Sequence, residues 1–112
     1  MIIYSSSLRR NCEVFGVAIS FNELWPPGKR VVFYVKDEGA RGLFVEELAG
    51  AELKESSLGK NFRIHLFPDG DGLMFLWDYF SDIDHFSRLI DLDVGTVDAF
   101  EKARSSDREQ RA

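Results

Sequence analysis

Apolar side chains recur at every second position through much of the first two-thirds of the chain and at every third or fourth position near its end, so the sequence reads as strands followed by helices. In residues 13–21, Phe15, Val17, Ile19 and Phe21 share one face, while Val14, Gly16, Ala18 and Ser20 share the other. The smallness of that second face predicts another element lying close against it. Residues 22–29 contain Trp25-Pro26-Pro27-Gly28, which breaks regular structure. A second strand is predicted at 31–36, a turn at 37–42, and a third strand from Leu43 to Leu48, favoured over a helix running to Ser56 because Gly50 would interrupt it. Residues 62–67 alternate again, Phe62, Ile64 and Leu66 against Arg63, His65 and Phe67. The Gly/Asp-rich loop 68–72 joins them to Leu73-Met74-Phe75-Leu76-Trp77-Asp78-Tyr79-Phe80, whose density of apolar and aromatic residues calls for cover on both faces. Two strands around such a loop predict a hairpin.

After Phe80 the period becomes helical. Ser81 is read as an N-cap, with Asp82 and Asp84 in the first turn, where carboxylates suit the positive helix end, and Ile83, Phe86, Leu89 and Ile90 on one face. A break at 91–95 precedes a second helix, read as capped by Thr96 and turning Val97, Phe100 and Ala103 inward; residues 105–112 are polar and expected to fray. The fold class is therefore α+β: an antiparallel sheet of about five strands with two C-terminal helices packed on one face, in one domain over residues 1–104. The other face of 73–80 then needs sheet curvature, a second layer or a second copy, as in a homodimer, to cover it.

Composition narrows the class. With 112 residues, 45% of them hydrophobic, the chain can bury a core without staples. Its formal charge of −5 opposes non-specific binding to nucleic acid or an anionic membrane. The single cysteine, Cys12, excludes an internal disulfide and fits a reducing compartment; with no secretory leader pattern and no long apolar run, the expected location is the cytoplasm.

Chemistry-bearing patterns are sparse. Asp69-Gly70-Asp71-Gly72 resembles the start of a calcium loop, yet Leu73, Phe75 and Phe80 stand where further oxygen ligands are required, so it reads as a turn. Asp82 and His85 share a helical face, but two ligands do not make a zinc site. Cys12 follows Arg9 and Arg10, which would lower its thiol pKa only if they lay beside it, and it reads as a packing residue. Nucleophile elbows, phosphate-cradling glycine loops and dinucleotide fingerprints are missing. The expectation is a non-enzymatic protein without a cofactor, with a small-ligand pocket between sheet and helices as an alternative.

Residues 81–104 resemble a helix-turn-helix in the apolar spacing of Phe86, Ile90, Leu92, Val97 and Phe100, with Ser87 at a small position; Asp91 replaces the turn glycine. The resemblance implies DNA binding through the second helix. Residues 78–98, however, carry six aspartates and one arginine, which would repel a phosphate backbone. The same acidity suggests a different role. Asp82, Asp84, Asp91, Asp93 and Asp98 are read as a negative surface that steers the chain onto another protein with a basic surface, and Trp25, in its proline loop, as an added anchor. The leading functional expectation is thus a small inhibitor, immunity or adaptor module that occludes a partner.

Overall fold

The computed structural model describes residues 1–21, 30–57, 61–68 and 70–111, with side chains of the last helix as far as Asp107. Seven antiparallel strands precede two helices: β1 (Ile2–Ser5), β2 (Arg10–Ser20), β3 (Arg30–Lys36), β4 (Phe44–Glu47), β5 (Ala51–Glu55), β6 (Phe62–Leu66), β7 (Gly72–Trp77), α1 (Ile83–Ile90) and α2 (Val94–Arg111). The α+β class with its helices last is the one the periodicity predicts.

β2 is the axis of the sheet. Its 11 residues carry β3 along one edge and two shorter strands end to end along the other, β1 against Arg10–Glu13 and β7 against Gly16–Ser20. β4 lies outside β3, β5 outside β1 and β6 outside β7. β4 and β5 terminate the order β4-β3-β2-β1-β5 but are consecutive in the chain, separated only by the 3-10 turn Leu48–Gly50. The sheet must therefore curl until its two ends meet at that turn. Polar contacts hold the seam: the Ser6 N–H donates to the Gly50 carbonyl at 2.9 Å, and the Ser5 and Ser7 hydroxyls donate to the Glu46 carboxylate at 2.7 and 3.2 Å.

Curling produces two cores. Inside it lie Ile3, Cys12, Val14, Val17, Phe33 and Val35, with Phe75 against them. On the opposite face, Phe15, Ala18, Val32, Met74, Leu76 and Trp77 pack under Phe80 and the helical Phe86, Leu89, Val97 and Phe100. The rings of Phe80 and Phe100 stack at 5.9 Å, and Phe15 meets Phe100 edge-on at 5.3 Å. Curvature is thus what covers the far side of Phe75.

A bulge in β2 corrects the alternation read from sequence. The pairing with β3 passes from Val14↔Val35 to Gly16↔Tyr34, leaving Phe15 as the extra residue. Phe15 consequently joins Ala18 under the helices, and Val14 joins Val17 inside the curl, where strict alternation sets Phe15 with Val17 and Val14 with Ala18. The small positions do admit a close neighbour: a Cβ on Gly16 would stand 3.0 Å from Leu76 Cδ2 and 3.4 Å from the Phe86 ring.

Other boundaries differ locally. Residues 43–56 form two short strands, β4 and β5, around the Leu48–Gly50 turn rather than one. β1 has no alternation long enough to read, being four residues of which Ile3 and Ser5 are buried. The β6–β7 hairpin forms as expected, but β7 stops at Trp77, where the Phe80 N–H donates back to its carbonyl at 3.0 Å. Within that hairpin Gly72 is obligatory, because a Cβ there would sit 2.2 Å from the Ile19 carbonyl oxygen. α2 runs on through polar residues 105–111.

Candidate functional site

The α1–α2 helix pair carries the acidic residues at both ends of α1 and in the first turns of α2. Asp82, rather than Ser81, is the N-cap of α1, its Oδ1 accepting the His85 N–H at 2.8 Å. Asp84 lies in the first turn, 3.6 Å from Arg88 one turn on. At the other end of α1 the Leu92 N–H donates to the Leu89 carbonyl and the Asp93 N–H to the Arg88 carbonyl, both at 3.0 Å. These are the two bonds of a Schellman cap, which places Leu92 at the position that needs a left-handed backbone; its φ is +61°.

α2 begins immediately afterwards. Asp93, rather than Thr96, caps it: Asp93 Oδ2 accepts the Thr96 N–H at 3.1 Å and the Thr96 hydroxyl at 2.6 Å. The Thr96 hydroxyl, then its N–H, holds the Asp93 carboxyl below its ordinary value, with nearby Arg88 adding a smaller pull. Asp98 pairs with Arg41. Among the described residues the Asp91 side chain makes no bond.

The five aspartates singled out by sequence are therefore brought to one helix pair and all are exposed, but they are not equivalent. Asp82 and Asp93 are structural caps, Asp84 and Asp98 sit in exposed ion pairs, and the Asp91 side chain makes no bond among the described residues. Surface pairs of this kind contribute about 0–1 kcal/mol each to stability. Trp25 lies outside the described residues.

The sequence spacing reads Leu92 as an apolar position of a helix-turn-helix; in the structure it is turned to solvent together with Val94. Leu92 is 60% and Val94 71% exposed, with Asp91 and Asp93 beside them in the chain. Leu92, Val94, Val97 and Arg41 line a shallow cavity of about 260 Å³. A single exposed leucine is ordinary. A leucine held in the left-handed region is not: that backbone costs a side-chain-bearing residue roughly 1–2 kcal/mol, and glycine usually occupies it. The signal was present in the sequence, since a non-glycine followed the last periodic residue of α1 at the point where a helix must stop.

The helix-turn-helix reading fares poorly on the same geometry. α2 is seated on the sheet through Val97, Phe100 and Arg104, all buried, so the exposed side of this second helix offers Asp98 and Lys102. Arg104 is turned inward, donating two bonds to Glu38 at 3.0 and 3.2 Å.

That arginine belongs to a charged clasp between the β3–β4 loop and α2. Lys36, its side chain 2% exposed, donates to Glu101 Oε1 at 2.5 Å and to the Ala40 carbonyl. Burial alone would raise the Glu101 carboxyl, but the Lys36 bond and charge outweigh it and hold the group below its ordinary value. A cleft of about 430 Å³ lies here; each of its cations, Lys36, Arg41 and Arg104, faces one of the carboxylates Glu101, Asp98 and Glu38. Neutralised internally, the cleft fastens helix to sheet and offers no net field to an ion.

Among the described residues no three metal-ligating side chains come together. His85 Nδ1 accepts the Ser81 N–H at 3.2 Å, and its ring centroid lies 5.2 Å from that of Tyr79. No helix among the described residues is long and apolar enough to cross a membrane. Comparison with protein families, curated proteins and solved structures found no match to this chain.

Proposed function

We propose that the chain is a small protein-binding module that docks through the α1–α2 junction and occludes a basic surface on its partner. The observation that carries this reading is Leu92, a mostly exposed side chain held at φ +61°, which shares a cavity with exposed Val94 and stands between exposed Asp91 and Asp93 in the chain. The Leu92 side chain keeps one edge against Gly42, where an added Cβ would stand 3.0 Å from its Cδ2, and leaves the greater part in solvent; backbone strain tends to gather where a ligand is met. The apolar pair supplies a desolvated centre and the carboxylates a rim that orients and speeds encounter with a basic partner. Occlusion follows from size: an interface of ordinary extent would occupy much of one end of so small a molecule.

The test is affinity capture from the native host at low and moderate salt, comparing the wild type with Asp91→Lys/Asp98→Asn, which changes the rim and spares both caps. The proposal expects a stoichiometric basic protein that is retained by the wild type, weakened by salt and lost by the variant. A partner captured equally by both proteins would remove the acidic rim from the mechanism.

A further inference from the structure

The outermost strand β6 presents an edge well separated in the chain from the helix junction. Its ladder with β7 fixes which backbone groups are used. The Phe67 N–H donates to Gly72 and the Asp78 N–H to Asn61, so positions 61, 63, 65 and 67 are the hydrogen-bonded ones and face β7. The N–H and C=O groups of Phe62, Ile64 and Leu66 consequently point away from the sheet. Among the described residues β6 pairs with β7 alone. The same residues leave apolar side chains in solvent: Ile64 is 60% and Leu66 73% exposed.

Edge strands are ordinarily blunted by charge, and the other two outer strands are: β4 carries Glu46 and Glu47, and β5 carries Glu52, Lys54 and Glu55, with Lys54 paired to Glu52 at 3.1 Å. β6 is different in sign. On a chain of net charge −5 it holds Arg63 and His65 and no acid, and Arg63 makes no ion pair among the described residues. Two copies joined through β6 in antiparallel register would set Arg63 beside His65 of the other copy, so neither arginine would meet a carboxylate.

We propose that the β6 edge receives an extended segment of another protein as an additional strand, one that alternates acidic residues opposite Arg63 and His65 with β-branched apolar residues opposite Phe62, Ile64 and Leu66. Backbone bonds to the three outward-facing residues provide affinity, and the Arg63 face selects the charge of the incoming strand.

The probe is the peptide acetyl-Ser-Val-Glu-Val-Glu-Val-Ser-amide, whose alternation matches β6 in either direction, with the Lys-for-Glu peptide as its control. Titration of the full chain is followed by amide NMR. The expected result is saturable binding of the Glu peptide with shifts centred on β6 and β7, about three- to tenfold weaker binding of the Lys peptide, and reversal of that preference in Arg63→Glu. Arg63 is exposed and its side chain makes no ion pair among the described residues, so this variant keeps the fold. A Glu peptide methylated on alternate backbone nitrogens must fail to bind. The proposal is overturned if the Glu peptide shows no saturation up to about 1 mM, if both peptides bind alike, or if the chain instead forms a dimer through β6 that the peptide does not displace.

Discussion

Replacing Glu101 by glutamine removes one charge from the clasp while preserving its shape. Lys36 is the most deeply buried cation of the clasp, its side chain 2% exposed, and Glu101 supplies its negative partner at 2.5 Å. Glutamine retains an acceptor for Lys36 and for the Gly42 N–H, now at 3.3 Å from Glu101, so the loss is electrostatic. Breaking a fully buried pair costs about 3–5 kcal/mol. Glu101 is 27% exposed, which lets water share the burden and brings the expectation down to about 2–3 kcal/mol. With a urea m-value of about 1–1.5 kcal/mol/M, the unfolding midpoint should fall by roughly 1.5–2.5 M at unchanged slope. Tryptophan fluorescence reports the transition, because Trp77 is buried in the helix-side core. The double variant Lys36→Met/Glu101→Leu, which removes both charges, should recover most of the loss. A Glu101→Gln midpoint within about 0.5 kcal/mol of wild type, or a double variant as unstable as the sum of its singles, would refute the coupling.

Glu46 should govern acid stability at the seam of the curled sheet. The Ser5 hydroxyl first, then the Ser7 N–H and hydroxyl, hold its carboxyl below the ordinary value of 4.5 even though burial opposes them. A native pKa below the unfolded one gives stability that is complete above that ordinary value and lost as pH falls through the native one. Glu46→Gln should therefore flatten the acid limb of a stability–pH curve measured by urea unfolding; an unchanged limb would count against the seam. Gly72→Ala should cost roughly 3 kcal/mol or more in thermal unfolding, since its Cβ would stand 2.2 Å from the Ile19 carbonyl oxygen; a loss under about 0.5 kcal/mol would show that the hairpin relaxes freely. Burial, followed by the Asp37 charge, pushes the Cys12 thiol above its ordinary value of 9.0. Its reaction with a disulfide reagent should proceed at the rate of global opening and accelerate in urea, whereas fast native labelling would contradict its burial.

The class of the fold was legible because its signals are local. The turn chemistry around Gly70 and Gly72, the period of two on either side of it and the period of about 3.6 after Phe80 each belong to a short stretch of sequence. What escaped reading depends on distant residues. Phe15 faces the helices because of one bulge, β1 is a strand only through its pairing with β2 and β5, and the curl follows from β4 and β5 lying at opposite ends of one strand order. The candidate site shows the same division. Its aspartates are conspicuous in the chain, but that Asp82 and Asp93 serve as caps while Asp91 does not emerges only from the hydrogen bonds. Leu92 was visible merely as one apolar residue among many; its backbone conformation is what distinguishes it.

Leu92→Gly separates folding from recognition most directly. Glycine accepts φ +61° without strain, and little buried surface is lost from a side chain 60% exposed. The expected result is a protein about 0.5–1 kcal/mol more stable in urea unfolding that binds the captured partner at least tenfold more weakly in a surface-immobilised titration. A variant that is no more stable, or that binds the partner with wild-type affinity, would contradict the claim that the strained leucine is kept for docking.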